Sequence, residues 1–112
     1  MSRSQKVALG LLTHWPILYM VVFVSFWLAS FFAMQSGGDA IVGMMAVIFP
    51  LHALTMLVTM GLWLFYIVHT VQNTRLTDND RLVWIIVHAT VGMIGWIAYF
   101  WMRIVPAPLT VD

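Results

Sequence analysis

The chain has 112 residues, of which 62% are hydrophobic and only 8% are charged, whereas soluble domains are about 45–50% apolar and about 25% charged. A water-soluble core of this size could not bury so much apolar surface, so the composition predicts an integral membrane protein. The net charge of +1 argues against nucleic-acid binding, and the absence of cysteine excludes disulfides, thiolate metal sites and a cysteine nucleophile.

The first predicted transmembrane helix covers residues 15–34, which carry no charge and match the roughly 20 apolar residues that a bilayer requires. Pro16 would lie in the first turn, where its missing N–H is not needed. Ser25, Ala29 and Ala33 recur every four residues along this helix. Such a track of small residues permits close approach by another helix.

The second apolar stretch, residues 40–71, is also uncharged and would form a helix of roughly 48 Å. The hydrocarbon core is only roughly 30 Å thick. Pro50 removes a backbone hydrogen bond and clashes one turn back, so we expect a short interfacial helix before Pro50 and a span from about 51 to 72. A single tilted and kinked helix through Pro50 is the alternative.

The third apolar stretch covers residues 82–102 and is closed by Arg103. The preceding Asp78, Asn79 and Asp80 supply N-cap candidates and place acids near the positive end of the helix dipole. The predicted fold is therefore an all-α integral membrane protein. It forms a single domain over residues 1–112, with three transmembrane helices at about 15–34, 51–72 and 82–103.

The basic residues predict an orientation. Arg3 and Lys6 precede the first span, Arg75 and Arg81 lie in the loop between the second and third, and Arg103 follows the third. The positive-inside rule then puts the N-terminus in the cytoplasm and the C-terminus outside, in what we take to be a bacterial inner membrane. Arg75 and Arg81 are also candidate contacts for anionic lipid headgroups.

Polar and small residues form one stripe on the second span and one on the third. Because unpaired donors are costly in hydrocarbon, we expect these stripes to face each other or a partner chain. The predicted packing or partner face consists of Ser25, Ala29, Ala33, Thr55, Thr59, Tyr66, Gly92, Gly95 and Tyr99.

Three of the histidines are candidate cofactor ligands. His69 and His88 lie at similar depth on neighbouring spans, as the two axial ligands of a b-type haem would, while His52 lies nearer the other side. A chlorophyll-type pigment would need His88 alone. The alternative is that these side chains, apolar in body and polar at the tip, only mark the membrane boundary. No Asp, Glu or Cys lies within the spans to complete a metal site.

The sequence carries no recognisable catalytic motif. It has no nucleophile elbow, no glycine-rich phosphate loop and no charged residue at the middle of a span. We therefore expect neither an enzyme nor a soluble substrate.

Residues 57–104 combine an apolar helix, a charged loop with Arg81, then Trp84, and a Gly-x-x-x-Tyr pair at Gly95 and Tyr99. This pattern resembles the transmembrane hairpin of the phospholipase D-nuclease N-terminal family, found at the start of cardiolipin-synthase-type enzymes. The family usually has proline where this chain has Gly92, and the catalytic H-x-K-x-x-x-x-D motif is absent. The resemblance therefore implies a membrane hairpin without the enzyme's activity, as in small free-standing membrane proteins.

These observations favour a non-catalytic accessory subunit that packs on larger integral membrane subunits, in a bioenergetic complex for example, and binds no cofactor. One alternative is a haem- or (bacterio)chlorophyll-binding subunit of an electron-transfer or photosynthetic complex, with His88 and either His69 or His52 as ligands. A second is a membrane anchor or lipid-associated regulator that binds anionic lipid at Arg75 and Arg81.

Overall fold

The computed structural model describes residues 1–35 and 37–110, except for the side chain of Ala40. The regular elements in these residues are helices: α1 (Arg3–Ala33), α2 (Asp39–Gln72), α3 (Asp78–Thr90), α4 (Met93–Tyr99) and a π-helical segment (Phe100–Ile104) that continues α4. Helices α1 and α2 are each long and apolar enough to cross a membrane. The prediction of an all-helical chain is confirmed for the described residues, and a third transmembrane helix is not confirmed.

Helix α1 begins well before the predicted start of the first span. The Ser2 hydroxyl accepts from the backbone N–H of Gln5, and the Gln5 side chain accepts from the backbone N–H of Ser2. This reciprocal capping pairs two N–H groups that would otherwise lack partners, so the helix starts in the polar segment. Pro16 consequently lies in the helix interior and not, as predicted, in the first turn.

Helix α2 runs through Pro50 without a break, over 34 residues or about 51 Å. The expected division into an interfacial helix and a span is wrong, and the alternative of one long helix is observed. The reason is the balance of backbone hydrogen bonds. Pro50 lacks one N–H, whereas ending and restarting a helix in apolar surroundings would leave about four N–H and four C=O groups without partners.

Helices α1 and α2 pack side by side and antiparallel, joined by polar contacts along their length. The Trp15 indole N–H donates to the Thr55 hydroxyl at 2.9 Å, and the Tyr19 hydroxyl lies 2.8 Å from Nδ1 of His52. The start of α1 therefore lies beside the end of α2.

The third apolar stretch folds back on itself. Helix α3 ends at Thr90, Gly92 adopts a φ of +61°, and α4 runs in the opposite direction. Arg103, at the end of the π-helical segment, reaches to within 3.9 Å of Asp80, at the start of α3. The prediction of one continuous helix over residues 82–102 is therefore wrong, and residues 78–104 form a helical hairpin.

The two ends of the described chain meet as a consequence. The backbone N–H of Thr110 donates to the Met1 carbonyl at 3.1 Å, and the Lys6 ammonium donates to the carbonyls of Val105 and Ala107. The predicted placement of the termini on opposite sides of a membrane does not hold, because the hairpin returns the chain to its starting side. All five Lys and Arg residues lie at this end of the molecule, which we call the basic end.

Candidate functional site

A cluster of buried aromatic and polar side chains fills the space between α2, the hairpin and the first half of α1. Its largest fully buried members are Trp96, Tyr66, Tyr99 and His88. Tyr66 stacks on Trp96 with the rings nearly parallel, at a centroid distance of 6.2 Å and an angle of 5°. The hydroxyls of Tyr66 and Thr13 are 2.6 Å apart, which ties α1 to α2.

Tyr99 is the centre of this cluster. The Asn73 amide donates to its phenol oxygen at 3.0 Å, and Nδ1 of His69 lies 3.0 Å from the same oxygen. The phenol hydrogen can then be donated to His69 Nδ1, in the tautomer of a neutral His69 that carries its proton on Nε2. The ring of Tyr99 packs edge-on against Trp84 at 5.1 Å and against His88 at 5.0 Å.

His88 is fully buried, and only one of its two ring nitrogens has a hydrogen-bond partner among the described residues. Its Nε2 lies 3.0 Å from the Thr70 hydroxyl, and its ring stacks on Trp84 at 5.9 Å. Its Nδ1 and the indole N–H of Trp96 have no hydrogen-bond partner among the described residues. Buried polar groups without partners are unusual in folded proteins and call for a physical explanation.

Both side chains line a cavity of about 410 Å³ at the turn of the hairpin. We call it the turn cavity and define it by Thr59 and Trp63 of α2, His88 of α3, Gly92 of the turn and Trp96 of α4. The cavity opens to the outside between α2 and the turn, where Trp63 is 42% exposed.

A second cavity of about 160 Å³ lies at the basic end. We call it the basic pocket, and its lining includes Lys6, Arg75, Arg103, His69 and Asn73. These residues come from α1, α2, the loop after α2 and the π-helical segment, so only the folded chain brings them together. No carboxylate is among the described residues that line it.

The three histidines proposed as ligands do not share a cavity. His69 lines the basic pocket, His88 lines the turn cavity, and His52 lines a third cavity beside Tyr19. Residues 1–35 and 37–110 contain no group of three or more potential metal ligands. His69 and His88 thus line separate cavities, and their ligation of one haem stays a prediction. A pigment ligated through His88 Nε2 would displace the Thr70 hydroxyl.

The predicted packing face divides into an internal and an external part. Thr55, Tyr66, Gly95 and Tyr99 are buried within the chain. Thr59 and Gly92 meet at the turn cavity. Ser25 and Ala29 point outward, and Ala33 is half-buried. The Ser25 hydroxyl donates to its own helix, at the Val21 carbonyl.

The two predicted headgroup contacts also differ in their surroundings. Arg81 is held by the chain itself, since its guanidinium donates to Asp78 at 3.2 Å and to the Asn73 carbonyl at 3.3 Å. Arg75 lines the basic pocket, and its side chain makes no hydrogen bond or ion pair with the residues described.

Several residues of these sites were not predicted: Thr13, Thr70, Asn73, Trp96, Lys6 and Arg103. Thr70 and Arg103 do lie on the polar stripes of their segments. Lys6, Asn73 and Trp96 meet their partners only because residues 78–104 double back, which brings Arg103 to Lys6, Tyr99 to Asn73 and Trp96 to Tyr66. Thr13 depends instead on the antiparallel packing of α1 and α2.

Comparison of the chain with protein families, with curated proteins and with solved structures finds no match. Two of the residues that carry the resemblance to the phospholipase D-nuclease N-terminal hairpin, Trp84 and Tyr99, lie in contact in the structure.

Proposed function

We propose that the chain is a non-catalytic subunit of a larger membrane protein complex, held in a bacterial inner membrane by α1 and α2. These helices, about 46 Å and about 51 Å long, are long enough to cross the roughly 40–45 Å of a bilayer with its headgroup regions, and a tilt accommodates their extra length. Because all five Lys and Arg residues lie at the basic end, the positive-inside rule puts that end in the cytoplasm. In this arrangement both chain ends are cytoplasmic and the hairpin enters the membrane without crossing it.

The observation that carries the proposal is the turn cavity. Helix α3 has 13 residues, so the turn lies about 20 Å from the basic end and within the hydrocarbon core. Non-helical backbone at that depth is stable only where protein covers it or where it lines a water-filled cavity. Here the turn adjoins two buried nitrogens without partners, on His88 and Trp96.

A transmembrane helix of a partner subunit would meet both requirements. A polar side chain such as Asn, Gln or Ser on that helix could accept from the Trp96 indole and pair with His88 Nδ1 once a local movement uncovers these nitrogens, which are closed to solvent in the structure. Thr59 and Gly92, which belong to the predicted partner face, line the same cavity and permit close approach. The exposed Met60 and Trp63 beside them supply apolar contact area.

Site-specific photo-crosslinking in native membranes tests this proposal. A benzoylphenylalanine at Met60, which lines the turn cavity and is 61% exposed, should crosslink to one membrane protein of defined mass. The same probe at Leu54, which is 53% exposed on another side of α2, is the matched control and should not.

The crosslink at Met60 should weaken in a Trp96→Phe variant, which keeps an aromatic side chain but removes the donor. Equal crosslinking from both positions, or a Met60 product that is indifferent to Trp96→Phe, would contradict a specific subunit contact at this cavity.

A further inference from the structure

Three cationic side chains that are far apart in sequence converge on the basic pocket. Lys6 comes from α1, Arg75 from the loop after α2, and Arg103 from the π-helical segment. Among the described residues, these cations form one ion pair, in which the Asp80 carboxylate lies 3.9 Å from Arg103, too far for a hydrogen bond. The described part of the chain therefore gives the pocket a concentration of positive charge with little internal compensation.

Each cation retains hydrogen-bonding capacity. An ammonium has three N–H donors, and Lys6 uses two of them on the carbonyls of Val105 and Ala107. Nε of Arg103 is buried and has no partner among the described residues. Nor does any described residue pair with the guanidinium of Arg75.

Hydrogen bonds position the backbone from which Arg75 and Arg103 extend. The Asn73 side chain accepts from the backbone N–H of Arg75 at 3.1 Å and donates to Tyr99 at 3.0 Å. The π-helical segment sets the direction of Arg103, since its last backbone bond runs from Val105 N–H to the Phe100 carbonyl. Short π-helical insertions are rare and occur frequently at functional sites.

We propose that the basic pocket binds a phosphate group, and that the adjoining surface favours the headgroup of an anionic phospholipid as its source. Guanidinium groups bind phosphate through paired, charge-assisted hydrogen bonds, and a cavity of about 160 Å³ has room for one such group. Basic pockets between membrane helices on the cytoplasmic side are known to hold anionic headgroups.

The feature that favours a lipid is an apolar groove that begins where the pocket ends. Lys6 lines both, and from it a groove of about 680 Å³ continues between α1 and the π-helical segment, past Leu11, Leu18 and Trp101. An acyl chain could lie in this groove while its phosphate remains in the pocket. A free phosphate ion would use the pocket alone.

Lipid retention measured by native mass spectrometry tests the proposal. The full chain, purified in a mild non-ionic detergent, is titrated with phosphatidylglycerol, with phosphatidylcholine and with inorganic phosphate. We expect one phosphatidylglycerol to bind in preference to phosphatidylcholine. Arg75→Gln and Arg103→Gln should each weaken it about tenfold, as the loss of a charge-assisted hydrogen bond implies.

Arg81→Gln is the matched control, because it removes one charge from the same end of the molecule but lines neither the basic pocket nor the groove, and its effect should stay within about twofold. The Arg75 side chain makes no hydrogen bond or ion pair with the described residues, so Arg75→Gln tests binding with little effect on the hairpin.

Each outcome decides the matter. Phosphatidylglycerol binding that depends on Arg75 and Arg103 supports the pocket with a lipid as its source. Inorganic phosphate binding with the same dependence, and no retained lipid, supports the pocket with a free phosphate as its source. Equal weakening by all three variants, or no binding of either probe, overturns the proposal.

Discussion

Tyr99 joins most of the polar groups that the chain buries near the basic end. Its hydroxyl serves both His69 of α2 and Asn73, which follows α2, and its ring contacts Trp84 and His88 of α3. Because Tyr99 belongs to α4, these contacts fix the returning arm of the hairpin against α2. In this structure His69 is thus a hydrogen-bonding partner of the Tyr99 phenol, and His88 is a packing partner of the same ring.

Removing that hydroxyl should be costly. Tyr99→Phe leaves two half-buried partners without this hydrogen bond, and we expect the free energy of unfolding to fall by about 1–3 kcal/mol. Reversible unfolding in mixed micelles, followed by tryptophan fluorescence, measures the change. Tyr66→Phe is the matched control, since its hydroxyl has a single partner, Thr13, and should cost less. A Tyr99 variant no less stable than the Tyr66 variant would show that the His69–Tyr99–Asn73 network contributes little.

Two glycines make the helical hairpin possible. Gly92 adopts a positive φ that side chains of L-residues rarely accept. Gly95 lies so close to α3 that a Cβ there would be 2.7 Å from Cγ1 of Val87 and 3.2 Å from its carbonyl oxygen. The turn and the close packing of the two arms therefore depend on residues without a side chain.

Gly95→Ala tests this packing. The added methyl group meets a branched side chain and a backbone oxygen, neither of which can move freely, so we expect a destabilisation of about 1–3 kcal/mol in the same unfolding assay. Gly61→Ala is the control on an exposed face of α2, where a Cβ meets nothing within 4 Å. It should be neutral or stabilising by up to about 1 kcal/mol, as expected from helix propensity. Equal losses in both variants would mean that the contact with Val87 is unimportant.

The hairpin also makes a distance prediction. Spin labels at Leu82→Cys and Met102→Cys, both on exposed positions, would be about 30 Å apart in a straight helix and much closer in the hairpin. Pulsed electron paramagnetic resonance measures this distance, and the chain has no native cysteine to interfere. A Val47→Cys and Val68→Cys pair on continuous α2 is the control and should give about 30 Å. A distance of about 30 Å between the labels at Leu82 and Met102 would contradict the hairpin and indicate a single third span.

Sequence reasoning found the helical class and apolar spans within α1 and α2, but neither the continuity of α2 through Pro50 nor the reversal. An uninterrupted apolar run of about 20 residues is compatible with one span and also with two short helices folded together, because a hydropathy profile does not show where the chain reverses. Gly92 and Gly95 were read as small residues on a packing stripe, although the positive φ of Gly92 is what turns the chain. Pro50 was expected to divide α2 but does not, because apolar surroundings favour keeping the helix intact around a single missing N–H.

The candidate sites were predictable to the extent that they lie on single elements. Thr59, His88 and Arg75 were named correctly as polar positions, and each lines a cavity. Their partners were not named, because Lys6, Arg103 and Trp96 reach these sites only after residues 78–104 reverse direction. That one reversal shapes the whole molecule. It creates the basic pocket, places His69 and His88 in different cavities, and brings the described ends of the chain together.

Topology mapping in cells tests this arrangement of the whole molecule. Single cysteines at Ser4 and Thr110 lie at the basic end, whereas a cysteine at Gly38 lies at the other end of α1 and α2. If α1 and α2 both cross the membrane, a membrane-impermeant maleimide should label Gly38→Cys from outside intact spheroplasts. It should label Ser4→Cys and Thr110→Cys only in inverted vesicles. A chain with three spans would instead expose Thr110→Cys on the side opposite to Ser4→Cys. That result would rule out the re-entrant hairpin and the basic pocket together, because Arg103 could then no longer reach Lys6.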